Sequence, residues 1–346
     1  MTRLVINGGF RPQRITGQQR YASEIANRLS KYHGFREVRP NLLSGTRSAE
    51  WAWTQLSAIT TRNDILLSLT ARAPVLHPSH VVVVHDLFVI TNPEWYSRKY
   101  SRTHAPLQRV QMQNAKELIA VSAPIAKQIE QLGLNRGKVS VAPNAPSEAF
   151  SSISTDADHE VLDRFKISDG EYFLTVGSLD PRKNLARLVK SYERYRAQGG
   201  QNFPLLIVGS NSDIFGNLDI NWPADAIRVG YVSDSDLAAL YRGSTGVIFP
   251  SLAEGFGLPA IEALESGARL AVSDIDVFRW VCGSNADYFD PLDEVEIAQA
   301  FTRLVEAQEI TGDQDLNKSG SVSRTFSWTD SAQIIADVCR NLSMCR

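Results

Sequence analysis

Short runs of branched apolar residues alternate along the chain with longer segments whose apolar positions recur every three or four residues. The runs are RLVING, DILLSL, VVVVHD, ELIAVS and KVSVAP in the first half, then YFLTVG, PLLIVG, AIRVGY, TGVIFP and ARLAVS in the second. A strand that is apolar at nearly every position is buried on both faces, as in a parallel sheet covered by helices, whereas a half-exposed strand would alternate. The pattern predicts an α/β chain of two Rossmann-like, doubly wound domains. Between the two series, PNAPSEAFSSISTDADHE is rich in Pro, Ser and Asp, lacks a periodic apolar face and reads as a linker. Near the end, SWTDSAQIIADVCR offers Ser and Thr as caps and keeps apolar residues at helical spacing, which predicts a terminal helix. The expected boundaries are 1–150 for the first domain, 151–170 for the linker, 171–328 for the second domain and 329–346 for a helix packing back toward the first. Open sheets of this type bind ligands beyond the carboxyl ends of their strands, so two facing domains would hold a ligand in the cleft between them.

With 346 residues, 43% of them hydrophobic and 21% charged, the chain has the composition of an ordinary globular protein with a sizeable core. No apolar run reaches the roughly 18 to 20 residues needed to span a bilayer, and MTRLVINGGF lacks the order of a signal peptide. A cytoplasmic location is expected. Cys282, Cys339 and Cys345 are odd in number and at no metal-like or redox-like spacing, so reduced thiols are expected rather than a disulfide framework. The net charge of −2 conceals an asymmetry: residues 1–150 hold 19 basic and 9 acidic side chains, and the remainder 17 and 29. The first half therefore carries an excess of ten positive charges and suits an anionic partner, although basic residues that merely solvate one domain would look the same.

Candidate chemistry falls after the predicted strands. The first is followed by NGGFRPQRITGQQRYASEI, with Gly8, Gly9 and Gly17 leading into a helix near Arg20. Glycines admit close backbone approach and helix amino termini attract phosphate, but neither dinucleotide nor P-loop spacing is present, and a sharp turn would use the same residues. VVVVHD ends in His85 and Asp86, where the strand should open onto the cleft. YFLTVGSLDPRKNLARLVKSY passes through Asp180 and Pro181 into a helix opened by Asn184, which leaves Arg182 and Lys183 beside a strand end. A guanidinium fork and a point charge there suit a diphosphate, and cations at a helix amino terminus oppose its dipole, so an idle role is disfavoured. In FPSLAEGFGLPAIEALESG, Glu254 and Glu262 flank a Gly-Phe-Gly-Leu-Pro turn. A helix starting near Leu258 would place Glu262 one turn inside it and Glu254 in the loop before it, both turned to one ligand. Carboxylates accept paired hydrogen bonds from vicinal hydroxyls, and amides around Gly257 and Leu258 would meet a phosphate.

Together, the acid pair around GFGLPAI and the preceding VGSLDPRKNL resemble the retaining glycosyltransferases of the GT-B fold, family four. The likeness runs over nearly the whole chain, through VVVHDLFVITNPEW, ELIAVSAPIAKQI, VSVAPN, VSDIDVFRWVCG, YFDPLDE and FSWTDSA in the family's order. It implies that Glu254 contacts the donor sugar near the reacting carbon, that Glu262 holds the nucleotide ribose, and that Lys183 with Arg182 neutralises the leaving diphosphate. It likewise implies that His85 lines the cleft near the donor sugar, that Gly17 belongs to a loop closing on the diphosphate, and that Tyr231 and Val232 contact the base. Ser251, Gly255, Phe256, Gly257 and Leu258 complete the expected donor-binding set. Three positions depart from the family: Gly177-Ser178 stands where Gly-Arg is usual, Pro143-Asn144-Ala145 where Pro-Asn-Gly is usual, and Trp280 where a Glu often follows FR.

The expected reaction is transfer of a hexose, with mannose from GDP-mannose the first candidate, from a nucleoside diphosphate sugar to an acceptor hydroxyl with the anomeric configuration kept. The leaving phosphate takes the acceptor's proton, so no dedicated base is required. No Asp-x-Asp follows an apolar strand, so neither a metal nor a cofactor beyond the nucleotide-sugar co-substrate is expected. The expected acceptor is a glycan or a polyprenyl-diphosphate-linked glycan of a surface polysaccharide, with a peripheral membrane contact through the basic first domain and no nucleic-acid partner. Arg98, Lys99, Arg102, Arg109 and Lys116 mark the docking segment. Alternatives are a nucleotide-sugar-binding module without catalysis, or a sugar-nucleotide epimerase on a similar scaffold. A dehydrogenase is disfavoured because neither half carries the dinucleotide fingerprint.

Overall fold

The computed structural model describes residues 3–13, 16–39, 47–209, 220–311 and 326–344. The chain divides into two compact units between Asn144 and Ala145, and from Phe326 onward it returns to the first.

The first unit carries a six-stranded parallel sheet of β1 (Leu4–Asn7), β2 (Phe35–Val38), β3 (Ile65–Ser68), β4 (His80–Val84), β5 (Glu117–Ala120) and β6 (Val139–Val141), in the order β2-β1-β3-β4-β5-β6. Helices α1 (Gly17–Leu29), α2 (Arg47–Thr60), α3 (Phe88–Thr91), α4 (Arg98–Asn114) and α5 (Ala123–Gln131) connect them. The second unit opens with α6 (Ala157–Phe165). It continues through β7 (Phe173–Val176), α7 (Leu185–Ala197), β8 (Leu205–Val208), β9 (Ala226–Gly230), α8 (Asp234–Arg242), β10 (Gly246–Phe249), α9 (Leu258–Glu265), β11 (Leu270–Ser273), α10 (Asp276–Cys282), β12 (Asp287–Phe289) and α11 (Glu294–Thr311). Its sheet has the order β12-β11-β10-β7-β8-β9, again parallel throughout.

All ten apolar runs become strands, and the two strands without such a run, β2 and β12, lie at sheet edges. An edge strand has one pairing partner and less cover, so FREV and DYF need no continuous apolar face. The stretch expected to be a linker instead contains α6, which belongs to the second unit. Its apolar contribution is short, chiefly Val161 and Leu162, and an ion pair does much of the anchoring: Arg242 of α8 grips Asp158 at 2.6 and 2.7 Å.

Helix α12 (Trp328–Met344) lies in the first unit. Trp328 meets the Tyr21 ring edge-on at 5.7 Å, Tyr32 donates to Gln333 Oε1 at 3.0 Å, and Ser331 donates to the Pro143 carbonyl at 2.7 Å. That last bond, with Asn144 and Ala145 buried, organises the Pro-Asn-Ala turn where the units divide.

In the first unit the core gathers Val82, Val84 and Leu118 of the sheet beneath Ile125 and Ile129 of α5. In the second, Phe173 of β7 meets Phe301 of α11 edge-on at 4.8 Å, and Tyr195 of α7 stacks on Phe301 at 5.3 Å. Each such ring contributes about 2 kcal/mol by burial and each pairing about 1 kcal/mol more. Cys282 and Cys339 are buried free thiols that burial pushes up to about 12, whereas Cys345 lies outside the described residues. Among the described residues no helix is long and apolar enough to cross a membrane.

Candidate active site

The carboxyl ends of β7 and β10, neighbours in the second sheet, carry the principal cluster. Beyond β7 the chain turns at Gly177 and Ser178 and closes a single 3₁₀ turn over Pro181–Lys183, with the Lys183 amide on the Asp180 carbonyl at 3.0 Å. Asn184 then takes left-handed backbone angles, φ 57 and ψ 28, and α7 begins. An amide side chain tolerates that region better than most. Asn184 stands at the cap position of α7, as expected, but its side chain does not cap the helix; its amide donates to the Pro250 carbonyl at 3.1 Å and to the Pro291 carbonyl at 2.7 Å. Together with the Leu252 amide on the Arg182 carbonyl at 2.8 Å, these bonds lock the loops after β7, β10 and β12 to one another.

That lock sets Lys183 against Glu254. Lys183 Nζ donates to Glu254 Oε1 at 2.6 Å, Ser251 Oγ donates to the same oxygen at 2.8 Å, and Arg182 Nη1 stands 3.6 Å from Oε2. All three partners of the carboxylate thus come from two adjacent loops. Burial works against its charge, but the Lys183 ammonium, the Arg182 guanidinium and the hydrogen bonds from Lys183 and Ser251 outweigh it and hold the carboxyl below its usual range. Gly177 makes room for this arrangement, because a Cβ there would lie 3.1 Å from Lys183 Cε.

Arg182 is shared. Its guanidinium also reaches both oxygens of the fully buried Asp180, at 3.4 and 3.3 Å, and Ser178 donates to Asp180 Oδ2 at 2.5 Å. Two cations and two carboxylates therefore make an electrically balanced group. What it offers a ligand is directed N–H donors in fixed positions rather than an excess of positive charge. Ser178, standing where a cation was noted as missing, serves as a hydrogen-bond donor to the acid that orients Arg182.

Glu254 leads into Gly255, Phe256 and Gly257 before α9 starts at Leu258. Gly257 has φ 80, and a Cβ on it would approach the Phe278 ring at 2.9 Å, so both backbone and packing require glycine. Phe256 is buried edge-on against Trp280 of α10, ring centres 6.0 Å apart. Trp280, the third departure from the family pattern, thus buttresses the glycine loop. Glu262 lies one turn into α9 and is buried, 5% exposed. Tyr231 and Val232 follow β9 at the sheet's edge, with Tyr231 exposed and Val232 half-buried.

The remaining expected residues belong to the first unit. His85 follows β4; its Nε2 lies 2.8 Å from the Leu69 carbonyl, and the Tyr21 ring meets its ring edge-on at 5.0 Å. Burial pushes the imidazole down to about 4, partly offset by that hydrogen bond, so it is neutral at physiological pH with the proton on Nε2. Helix α1 starts at Gly17, earlier than the expected position near Arg20, and a Cβ on Gly17 would meet nothing within 4 Å. Gly8, by contrast, is required by its own surroundings, since a Cβ would lie 2.7 Å from both the Glu37 side chain and the Val38 carbonyl. Residues 14 and 15 of the glycine loop lie outside the described residues. The structure therefore joins Lys183, Arg182, Ser251 and Glu254 in one network and puts Gly255, Phe256, Gly257, Leu258 and Glu262 on the same connection. Sequence reasoning noticed Asp180 only as a turn residue and Asn184 only as the opener of a helix. Their sole signal was polarity beside a basic pair.

Residues 160–319 match the family described as Glycosyl transferases group 1, and residues 32–146 the one described as Glycosyltransferase Family 4. The chain belongs to this group of glycosyltransferases, with the GT-B fold. Among curated relatives it is similar to the serotype-specific mannosyltransferase WbdA of Escherichia coli, 27% identical over 277 residues, 74% of this chain and 33% of the relative. It is also similar to the O-antigen chain mannosyltransferase B of Escherichia coli, 27% identical over 219 residues, 62% of this chain and 58% of the relative. The chain thus spans about a third of the first relative's length and under two thirds of the second's. Its fold is shared with sucrose-phosphate synthase from Thermosynechococcus elongatus, TM-score 0.74 at 17% identity over 100% of both chains. Anabaena HepE, solved with UDP-glucose, superposes at TM-score 0.71 and 17% identity over 99% of this chain and 100% of that one.

Proposed function

We propose that this chain transfers a hexose from a nucleoside diphosphate sugar to a hydroxyl of a glycan or lipid-linked glycan in surface polysaccharide synthesis, with retention at the anomeric carbon. The observation that carries the proposal is the buried Lys183–Glu254 contact of 2.6 Å at adjacent strand ends, flanked by Arg182 and the glycine loop before α9. An ammonium has three donors, so Lys183 can keep one N–H on Glu254 and give the others to phosphate oxygens. Arg182, likewise held by an acid, and the amides around Gly257 and Leu258 at the start of α9 add further donors where charge grows on the departing diphosphate. Each donor of this kind contributes about 2 to 4 kcal/mol to the transition state. Because these groups supply the stabilisation, the reaction proceeds without a metal, and the leaving phosphate accepts the proton of the attacking hydroxyl. Glu254 and Glu262 are assigned to hydroxyls of the donor sugar and ribose, Tyr231 and Val232 to the base, and His85 and Gly17 to the donor.

GDP-mannose is the first donor to try, since the relatives WbdA and O-antigen chain mannosyltransferase B are named as mannosyltransferases. For the acceptor, α4 presents exposed Arg98, Lys99, Arg102 and Arg109 and contains no Asp or Glu, which suits a diphosphate-linked lipid at an anionic membrane surface. A panel of nucleotide sugars, each with a mannan or polyprenyl-linked acceptor and with EDTA present, tests the reading. Acceptor-dependent release of nucleoside diphosphate from one donor, with the product's anomeric configuration matching that donor by NMR, is expected. Nucleoside diphosphate release from none, or loss of activity in EDTA restored by a divalent cation, counts against transfer and against metal independence respectively.

A further inference from the structure

The loop after β7 holds an acid to which the transfer reading gives no task. Asp180 is fully buried, and its carboxylate accepts from Arg182 Nε at 3.4 Å, from Arg182 Nη2 at 3.3 Å and from Ser178 Oγ at 2.5 Å. Those two guanidinium nitrogens form one edge of the fork, so Asp180 fixes the plane of Arg182, whose Nη1 stands 3.6 Å from Glu254 Oε2. The turn that carries the acid is built from backbone. The Asp180 amide donates to the Ser178 carbonyl at 2.9 Å and the Lys183 amide to the Asp180 carbonyl at 3.0 Å. Close packing against the end of β8 holds the loop further, since a Cβ on Gly209 would overlap the Gly177 carbonyl oxygen. The backbone shapes the turn, so what the Asp180 side chain adds is charge.

That charge decides the sign of the whole group. Lys183 and Arg182 bring two positive charges against the one negative charge of Glu254, and Asp180 takes the sum to zero. An uncancelled positive charge would favour whichever ligand is the more negative. The phosphates of a nucleoside diphosphate sugar carry about two negative charges, and those of the nucleoside diphosphate released from it about three, because the terminal phosphate regains an ionisable oxygen. Without Asp180 the group would therefore hold the spent product more tightly relative to fresh donor.

We infer that Asp180 is a charge-balancing residue acting through Arg182, and that it keeps the group around Lys183 neutral so that the nucleoside diphosphate product is released rather than retained. The inference rests on the glycosyl-transfer reading above. It assigns Asp180 no contact with a ligand.

Calorimetry on the whole chain, with EDTA present and no acceptor, gives Kd for GDP and for GDP-mannose, and the ratio of the first to the second is the readout. UDP and UDP-glucose take their place if that pair binds instead. Across one guanidinium, a unit charge acting on another shifts a binding constant by about tenfold at a partly solvated site. Asp180→Asn removes the charge and keeps hydrogen bonding, since its oxygen can accept from Arg182 and its NH2 can donate to the Ser178 hydroxyl. In that variant the ratio should fall about tenfold. Ser178→Ala takes a hydrogen bond from the acid without altering any charge, and its ratio should stay within about twofold of the wild type. Arg182→Gln should raise the ratio about tenfold, and the double variant Asp180→Asn with Arg182→Gln, neutral again, should bring it back. An unchanged ratio in Asp180→Asn, or an equal fall in Ser178→Ala, overturns the inference. Should Asp180→Asn fail to fold, a double variant no different from Arg182→Gln overturns it equally. Binding of neither pair by the wild type overturns the donor reading and the inference with it, whereas binding with ratios indifferent to Asp180 overturns the charge balance alone.

Discussion

Lys183 Nζ and Glu254 Oε1 lie 2.6 Å apart although 71 residues separate them in sequence. The contact exists because β7 and β10 are neighbours in the sheet and Asn184 ties their loops together. Removing Lys183 leaves the buried Glu254 carboxylate with only Arg182 and Ser251, and removing Glu254 leaves the Lys183 ammonium buried without its acid.

Lys183→Met should therefore lower stability by about 3 kcal/mol as well as kcat by at least about a hundredfold. The double variant Lys183→Met with Glu254→Gln should recover much of the stability but none of the turnover. Chemical denaturation and steady-state kinetics on the three proteins check this. Equal loss of stability in the double variant would show that the pair is not coupled.

Asn184 supplies two separable contributions, a left-handed backbone and an amide that bonds two carbonyls. Asn184→Gly keeps the first and loses the second, at about 2 kcal/mol. Asn184→Ala loses both and should cost about 1 kcal/mol more. Turnover should fall in both variants, since each releases the loop carrying Lys183. Equilibrium unfolding of the two variants reads the difference.

Trp280→Ala removes the edge-on partner of Phe256 and loosens the loop before α9. The KM for the nucleotide sugar should rise about threefold to tenfold with little change in the acceptor KM. A change confined to the acceptor would place this loop elsewhere in the reaction.

Buried histidines give the first unit a dependence on pH. Burial, with the neighbouring His77, pushes His80 down to about 3, and burial pushes His85 down to about 4. The unfolded chain binds these protons near its ordinary value of about 6.5 while the folded chain does not. Stability is thus complete above about pH 6.5 and falls as pH drops toward 4, by about 1.4 kcal/mol per pH unit for each histidine. Melting temperatures between pH 7 and 5.5 should decline for the wild type and less steeply for His80→Gln, whose amide can replace the ring nitrogen on Ser68.

Much of the architecture was legible because it rests on local pattern. Ten apolar runs mark ten strands, since a strand covered on both faces must be apolar throughout. The edge strands β2 and β12 escaped, as did α6, because their cover or anchorage comes from elsewhere in the chain. Within the site, the residue types around Lys183 and Glu254 were legible, whereas the balancing acid Asp180 and the tie through Asn184 were not, being contacts rather than patterns.

Sequence by itself settled where the ten apolar strands lie and which chemical groups stand at their ends, because hydrophobic periodicity and turn residues act over a few positions. Only the tertiary structure decided which ends meet: the order of strands in each sheet brings β7 beside β10 and makes the four-charge group electrically balanced. Those outcomes depend on distances across the chain, and a carboxylate's partner has no signature in the order of residues.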